Sequence, residues 1–239
     1  MAMVSPCMIG TIGFDADDTL WHTEILYTHA QERFKELLLP YQSPAQIEER
    51  LYQTEIGNLQ CFGYGIKAFA LNMIEAAIAV TDGRITGSEI QAVIDLAREM
   101  LGTDVQLLEH AVETVAQLAT EHDLMLITKG DLYEQESKIA RSDLARYFRH
   151  VEVVSDKTRD SYQALLARHG IEPAQFLMVG NSLRSDVLPV LALGGCAVYI
   201  PYHLTWAHEV ADPPPTGHPG YYQLEHLGLL PDLLKTMSR

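Results

Sequence analysis

Three aspartates lie within four positions of the segment TIGFDADDTL, residues 11–20, directly after an apolar run. They are Asp15, Asp17 and Asp18, and Thr19 follows them. Gathering carboxylates at the end of a buried segment is costly unless a cation lies among them. Oxygen ligands of this kind suit Mg²⁺ better than they suit softer metals. The spacing therefore predicts a metal and nucleophile site.

Five short apolar runs have the composition of buried strands. They cover residues 8–14, 123–128, 151–154, 176–180 and 196–200. From the second run onward, helical stretches separate them, and their length suits strand-helix-strand crossovers. The pattern predicts an α/β fold with a doubly wound, parallel, Rossmann-like sheet.

Polar side chains follow these runs, where ligands bind in open α/β sheets. After the first run come Asp15 and Asp17, and after the later runs come Thr128, Lys129, Lys157, Asn181 and Asp186. The set combines carboxylates for a hard dication with a lysine and a hydroxyl for an anion. These residues are expected to converge on one edge of the sheet.

The interval between the first two runs is far longer than one crossover needs. About a dozen residues suffice for a crossover, yet helical periodicity and helix-start signals recur through this interval, for example at Ser43-Pro44 and at Thr86 with Glu89. We predict an inserted all-helical subdomain over residues 22–105, and a catalytic core formed by residues 1–21 and 106–239.

Four segments in order resemble the motifs of the haloacid dehalogenase superfamily of aspartate-nucleophile phosphatases. They are DADDT, ITKG, the Lys157 of SDKTRDSYQALL, and VGNSLRSD. The resemblance spans residues 15–186, includes a helical cap after the first motif, and implies a Mg²⁺-dependent phosphatase acting on a small phosphorylated substrate.

The resemblance implies a role for each matching residue. Asp15 would attack phosphorus and form an aspartyl-phosphate, and Asp17 would protonate the leaving alcohol and later activate water. Thr128 and the main-chain amide of Lys129 would hold phosphoryl oxygens, and Lys157 would neutralise charge. Lys138, inside a predicted helix, is a weaker candidate for the position of Lys157.

The fourth motif departs from the commonest pattern of the superfamily. Asn181 stands where an aspartate is usual, and a later carboxylate is kept as Asp186. The implied metal ligands are Asp15, Asp17 through its carbonyl, Asn181 and Asp186. Either Asn181 binds directly and Asp186 orders a metal-bound water, or Asp186 replaces it.

Two other functions compete with a phosphatase. A 2-haloacid dehalogenase expels halide and needs no general acid, and such relatives lack an aspartate at the position of Asp17 and need no metal. A non-catalytic phosphate-binding or regulatory protein of the same fold would explain Asn181, but the joint presence of Asp15, Asp17, Thr128 and Lys157 weighs against it.

Charge and composition limit the classes of partner and the cellular location that we expect for this protein. The 239 residues include 17 Lys and Arg against 32 Asp and Glu, a formal net charge of -15, which argues against nucleic acid as a partner. No stretch is long and apolar enough for a membrane span, and no signal peptide is indicated. Cys7, Cys61 and Cys196 are interpreted as buried thiols in a reducing compartment. A cytoplasmic protein is expected, and the sequence does not indicate an oligomeric state.

Overall fold

The computed structural model describes residues 9–237. Met8, which the predicted first strand includes, and Cys7 lie outside the described residues. The chain divides into two compact units. Of the described residues, the first unit contains 9–24, 105–129 and 138–237, and the second contains 25–104 and 130–137.

A parallel sheet forms the centre of the first unit. Its strands are β1 (Thr11–Phe14), β2 (Asp123–Lys129), β3 (His150–Val154), β4 (Phe176–Gly180), β5 (Cys196–Tyr199) and β6 (Tyr221–Gln223). The strand order is β3-β2-β1-β4-β5-β6, and all neighbours are parallel. The predicted doubly wound α/β fold is therefore confirmed.

The strand β6 has no counterpart among the five apolar runs from which the strands are predicted. Tyr221 pairs with Ala197 of β5, so the sheet extends by one edge strand. A run of three half-exposed or exposed residues has no periodicity from which a strand is predictable.

Both faces of the central strands are buried, which explains their continuous apolar sequences. On β2, Leu124 and Leu126 pack into the same cluster as Phe14, whereas Met125 and Ile127 pack into a second cluster on the opposite face. The register places Phe14, the last residue of β1, beside Leu126 and Val179. The carboxyl ends of β1, β2 and β4 consequently meet at one edge of the sheet.

The α-helices of the described residues lie in the sheet crossovers, the insertion and the C-terminal segment. They are α1 (Glu24–Leu38), α2 (Pro44–Phe62), α3 (Ile66–Val80), α4 (Gly87–Gly102), α5 (Ala111–Leu118), α6 (Leu132–Arg141), α7 (Arg159–His169), α8 (Leu188–Leu191) and α9 (Leu230–Met237).

The second unit is helical and has its own apolar core, which includes Phe34, Ile47 and Met73. The predicted capping box of α4 is present, since Glu89 N donates to Thr86 Oγ1 over 3.3 Å and Thr86 N donates to Glu89 Oε2 over 2.7 Å. Residues 130–137 also belong to this unit. They lie outside the predicted insertion of residues 22–105.

Two further expectations concern cysteines and membranes. Cys196 is a buried thiol as predicted, but Cys61 is exposed, so the expectation of burial is wrong for Cys61. Cys61 is the second-last residue of α2, where the helix surface faces solvent. None of the helices within residues 9–237 has the length and apolar character needed to cross a membrane.

Candidate active site

Asp15 follows β1 directly and is buried, with 7% of its surface exposed. Its main-chain N–H donates to the carbonyl of Val179 over 2.9 Å, which continues the pairing of β1 with β4 past the last residue of the strand. Thr19 Oγ1 donates to Asp15 Oδ2 over 2.9 Å. The carboxylate is thereby held at the carboxyl end of the sheet.

Lys157 joins Asp15 to Asp186. Its Nζ donates to Asp15 Oδ1 and, over 2.8 Å, to Asp186 Oδ1, and all three side chains are almost completely buried. Lys157 lies just before the N-cap of α7, Thr158, and not within the helix. The side chains of three separate segments therefore form one buried charge cluster.

Burial and neighbouring charges act against each other in this cluster. Burial raises the pKa of Asp15 to about 7, helped by the carboxylates of Asp186 and Asp17 and opposed by the Lys157 ammonium. Burial alone would lower the pKa of Lys157, but Asp15 and Asp186 outweigh it and hold that pKa well above its usual value. These surroundings favour the charged form of Lys157, and additional positive charge beside Asp15 would favour its carboxylate form.

The packing of Asp186 depends on Gly180, the last residue of β4. A Cβ atom at position 180 would lie 2.2 Å from Asp186 Oδ2, which is closer than atoms can approach. The same oxygen accepts a hydrogen bond from the main-chain N–H of Ser182 over 2.9 Å. The glycine of the VGNS segment therefore makes room for a carboxylate beneath the strand end.

The side-chain amide of Asn181 lies beside this cluster, against oxygens of Asp15 and Asp17. A side-chain amide has two orientations with the same heavy-atom positions. With its oxygen toward Asp15, Asn181 places Oδ1 3.2 Å from Asp15 Oδ2 and 3.2 Å from the main-chain oxygen of Asp17. With its nitrogen there, the amide donates to both oxygens and to Thr19 Oγ1.

With its amide oxygen turned toward Asp15, Asn181 completes a cluster of three oxygens that fits a small hard cation. Neighbouring ligands of octahedral Mg²⁺, with metal–oxygen distances of about 2.1 Å, lie about 3.0 Å apart. Residues 9–237 contain no group of three or more His, Cys, Asp or Glu side chains that could hold a metal. That finding is compatible with the cluster, because two of its three donors are a main-chain carbonyl and an amide.

The side chain of Asp17 is held by a different lysine, Lys138 of α6. Lys138 Nζ donates to Asp17 Oδ1 over 2.7 Å and to Oδ2 over 2.9 Å. Trp21 Nε1 and Thr23 Oγ1 each donate to Asp17 Oδ1 over 2.7 Å. The orientation of this carboxylate is thus set by three side chains, all of which lie in the first unit.

Asp18 stabilises the turn and does not join the cluster. Its φ of 59° is in the left-handed region, which aspartate tolerates better than most residues. Asp18 Oδ1 accepts from the main-chain N–H of Thr23 over 2.8 Å, and Oδ2 accepts from that of Glu24, the first residue of α1, over 3.0 Å. Burial raises the pKa of Asp18 to about 7, against the lowering effect of these bonds.

The remaining predicted residues lie at the end of β2. Thr128 is 1% exposed, and Lys129 ends the strand. Lys129 Nζ pairs with Glu209 and donates to Ser185 Oγ over 3.0 Å. The ammonium of Lys129 therefore binds other protein groups. The predicted phosphoryl contact of Lys129 involves its main-chain N–H and not this ammonium.

Several residues around the carboxylates were not predicted. Three of them, Thr19, Trp21 and Thr23, lie within or soon after the DADDT segment. Their closeness in sequence to the first motif could have identified them. Glu209 has no such signal, because it lies in an irregular segment 80 residues from its partner Lys129.

Solved structures similar to this chain are hydrolases. A haloacid dehalogenase-like family hydrolase from Xanthomonas campestris is 36% identical, with a TM-score of 0.87 over 97% of this chain and 92% of that chain. The HAD-hydrolase YfnB from Bacillus subtilis, bound to magnesium, is 16% identical, with a TM-score of 0.67 over 95% and 99%. A 2-haloacid dehalogenase from Pseudomonas syringae pv. tomato DC3000 is 21% identical, with a TM-score of 0.62 over 96% and 99%.

A search of the curated proteins gives no match to this sequence. The sequence profile of the haloacid dehalogenase-like hydrolases, in contrast, matches residues 9–194, which include every residue of the candidate site. Together with the 36% identity over nearly the whole chain, this match shows that the chain belongs to the haloacid dehalogenase-like hydrolase family.

Proposed function

We propose that this hydrolase is a Mg²⁺-dependent phosphatase that cleaves phosphoric monoesters of small metabolites through an aspartyl-phosphate on Asp15. The observation that supports it best is the position of the Asn181 amide, one atom of which lies 3.2 Å from Asp15 Oδ2 and 3.2 Å from the main-chain oxygen of Asp17, so that its oxygen can join theirs around a cation. A haloacid dehalogenase needs neither a metal at this position nor the acid that Asp17 supplies. Likeness to dehalogenases at about one-fifth identity concerns the fold alone.

In the proposed first step, the Asp15 carboxylate attacks phosphorus and the bond from phosphorus to the leaving oxygen breaks. Asp17 gives its proton to that oxygen, so the product is a neutral alcohol. The Thr128 hydroxyl and the Lys129 N–H would bind phosphoryl oxygens, and Lys157 would balance the charge that Asp15 and the phosphoryl group share.

In the second step, Asp17 takes a proton from water, and that water attacks phosphorus. The bond between phosphorus and Asp15 breaks, which releases inorganic phosphate and restores both aspartates to their starting forms. Asp15, the Asp17 carbonyl and Asn181 would hold Mg²⁺, while Asp186 orients Lys157. When bound, the cation supplies positive charge that offsets the negative charge of the phosphoryl oxygens.

The test is a panel of phosphorylated metabolites and p-nitrophenyl phosphate, assayed for phosphate release with Mg²⁺ and with a chelator. Halide release from 2-chloropropionate is measured in parallel. We expect Mg²⁺-dependent phosphate release and no halide. Asp15→Asn should reduce turnover by at least about 10³-fold while the protein stays folded, because it removes the nucleophile.

Asp104→Asn is the matched control, since it makes the same change at an exposed aspartate. It should retain wild-type turnover. Halide release without phosphate release would replace the phosphatase proposal with a dehalogenase. Binding of inorganic phosphate without any turnover of the panel would favour the non-catalytic alternative.

A further inference from the structure

Glu209 lies in the irregular segment between β5 and β6, at the end of a short 3₁₀ turn, Ala207–Glu209. Only 14% of its side chain is exposed. A carboxylate taken out of water needs compensating partners. Glu209 has three, and they come from two other segments of the first unit.

Both carboxylate oxygens of Glu209 accept hydrogen bonds. Oε1 pairs with Lys129 Nζ, at the end of β2. Oε2 accepts from Ser182 Oγ over 2.6 Å and from Ser185 Oγ over 2.6 Å, in the turn after β4. Lys129 Nζ also donates to Ser185 Oγ over 3.0 Å, so the four side chains form a closed network.

The partners of Glu209 favour its charged form. Burial would raise its pKa, but the Lys129 ammonium and the hydrogen bonds from Lys129, Ser182 and Ser185 outweigh burial and lower the pKa to about 2. A second link ties the same segment to the turn after β4, because Arg184 Nη1 donates to the main-chain oxygen of His208 over 2.8 Å.

Each partner of Glu209 is next in sequence to a residue of the candidate site or belongs to it. Lys129 follows Thr128, Ser182 follows Asn181, and Ser185 precedes Asp186. Ser182 also donates its main-chain N–H to Asp186 Oδ2 over 2.9 Å. A shift of Glu209 would therefore be transmitted to the ends of both β2 and β4.

We propose that Glu209 is a positioning residue, which holds the end of β2 and the turn after β4 at the separation that the phosphoryl group requires. The proposal rests on the phosphatase function proposed above. Glu209 itself does not contact the substrate. It acts through the side chain of Lys129, which fixes the main-chain N–H of that residue, and through the two serines.

The test compares Glu209→Gln, Lys129→Met, the double variant and Asp212→Asn. The last is the matched control, because it removes an exposed carboxylate from the same segment. We measure the single-turnover rate of phosphoenzyme formation with p-nitrophenyl phosphate per folded molecule, inhibition by inorganic phosphate, and the ¹H–¹⁵N spectrum of the main chain.

Misplacement of a binding group by about 1 Å costs on the order of 100-fold in rate. We expect Glu209→Gln to slow phosphoenzyme formation by about 10- to 100-fold and to weaken phosphate inhibition. The double variant should be no slower than the slower single variant, since both changes break the same link. The amide signals of Lys129, Ser182 and Ser185 should shift in Glu209→Gln and stay in place in Asp212→Asn.

A purely structural role predicts another outcome. Glu209→Gln would then unfold at a lower temperature, yet its rate per folded molecule would stay within about twofold of wild type, and this result would overturn the proposal. If Glu209→Gln does not fold, Ser182→Ala is held to the same criteria. It removes the bond from Ser182 Oγ to Glu209 and the bond that Ser182 Oγ accepts from the main-chain N–H of Ser185, and it leaves the charge pair of Glu209 and Lys129 intact.

The same experiment separates this proposal from the phosphatase function. A wild-type protein without phosphatase activity would contradict the proposed function only. Shifted amide signals at Lys129, Ser182 and Ser185 would then still support the positioning by Glu209, and unchanged signals would overturn it.

Discussion

Two lysines divide the carboxylates of the site between them. Lys157 pairs with Asp15 and Asp186, and Lys138 pairs with Asp17. From the sequence, Lys138 competes with Lys157 for one position. In the structure the two lysines pair with different carboxylates, so Asp15 and Asp17, which differ in proposed role, also differ in their cationic partner.

The proposed acid role of Asp17 depends on the leaving group. An alkoxide needs a proton in the transition state, whereas p-nitrophenolate needs little help, and general acids contribute about 10²- to 10⁴-fold. Asp17→Asn should therefore slow phosphoenzyme formation far more with an alkyl phosphate than with p-nitrophenyl phosphate. The measurement must be a single turnover, because Asp17 later activates water for both substrates. Equal losses for the two substrates would reject the acid role.

Asn181 is expected to weaken cation binding. An aspartate adds a negative charge at the oxygen cluster and cannot donate hydrogen bonds to Asp15 and Asp17, so it favours a bound cation. Asn181→Asp should tighten Mg²⁺ binding by about tenfold, or about 1.4 kcal/mol. Calorimetric titration with Mg²⁺ measures this without relying on turnover. An unchanged titration would point to Asp186 as the direct ligand.

At the scale of elements, the site is assembled from strand ends and the segments that follow them. β1, β2 and β4 are adjacent in the sheet, so their carboxyl ends bring Asp15, Thr128 and Asn181 to one edge. Glu209, in the irregular segment between β5 and β6, then links the end of β2 to the turn after β4. Because Glu209 is ionisable, this link should make the free energy of unfolding depend on pH.

Acid should remove the stabilisation that Glu209 provides. Its folded pKa of about 2 is below the ordinary value of 4.5, so its contribution is present above pH 4.5 and is lost as pH falls toward 2. The shift corresponds to at most about 3 kcal/mol. Urea unfolding should show wild type to be more stable than Glu209→Gln at pH 6.5, with the difference shrinking by pH 3.

The exposed carboxylate of the same segment provides the comparison. Asp212→Asn should follow the wild-type dependence of unfolding free energy on pH. A difference between wild type and Glu209→Gln that stays constant from pH 6.5 to pH 3 would show that the Glu209 charge does not contribute through this linkage.

At the scale of the whole molecule, local pattern accounts for most of the fold. The buried strands are predictable because both of their faces are apolar, and α4 is predictable because its capping residues are three positions apart. The strand β6 is not predictable, since its three residues have no periodicity. It forms by pairing with the edge of β5, which is a tertiary contact. Residues 130–137 likewise belong to the second unit, and no local sequence pattern predicts this.

The sequence by itself predicts which residues are candidates for the chemistry, because Asp15, Thr128, Lys157, Asn181 and Asp186 each lie at or after the end of a recognisable strand. Only the tertiary structure decided how they are paired. Lys138 meets Asp17 across 121 positions, and Glu209 meets Lys129 across 80. The physical reason is that a buried charge needs a partner within hydrogen-bonding distance. The fold determines which residue lies there, and local sequence patterns do not predict contacts between residues so far apart in sequence.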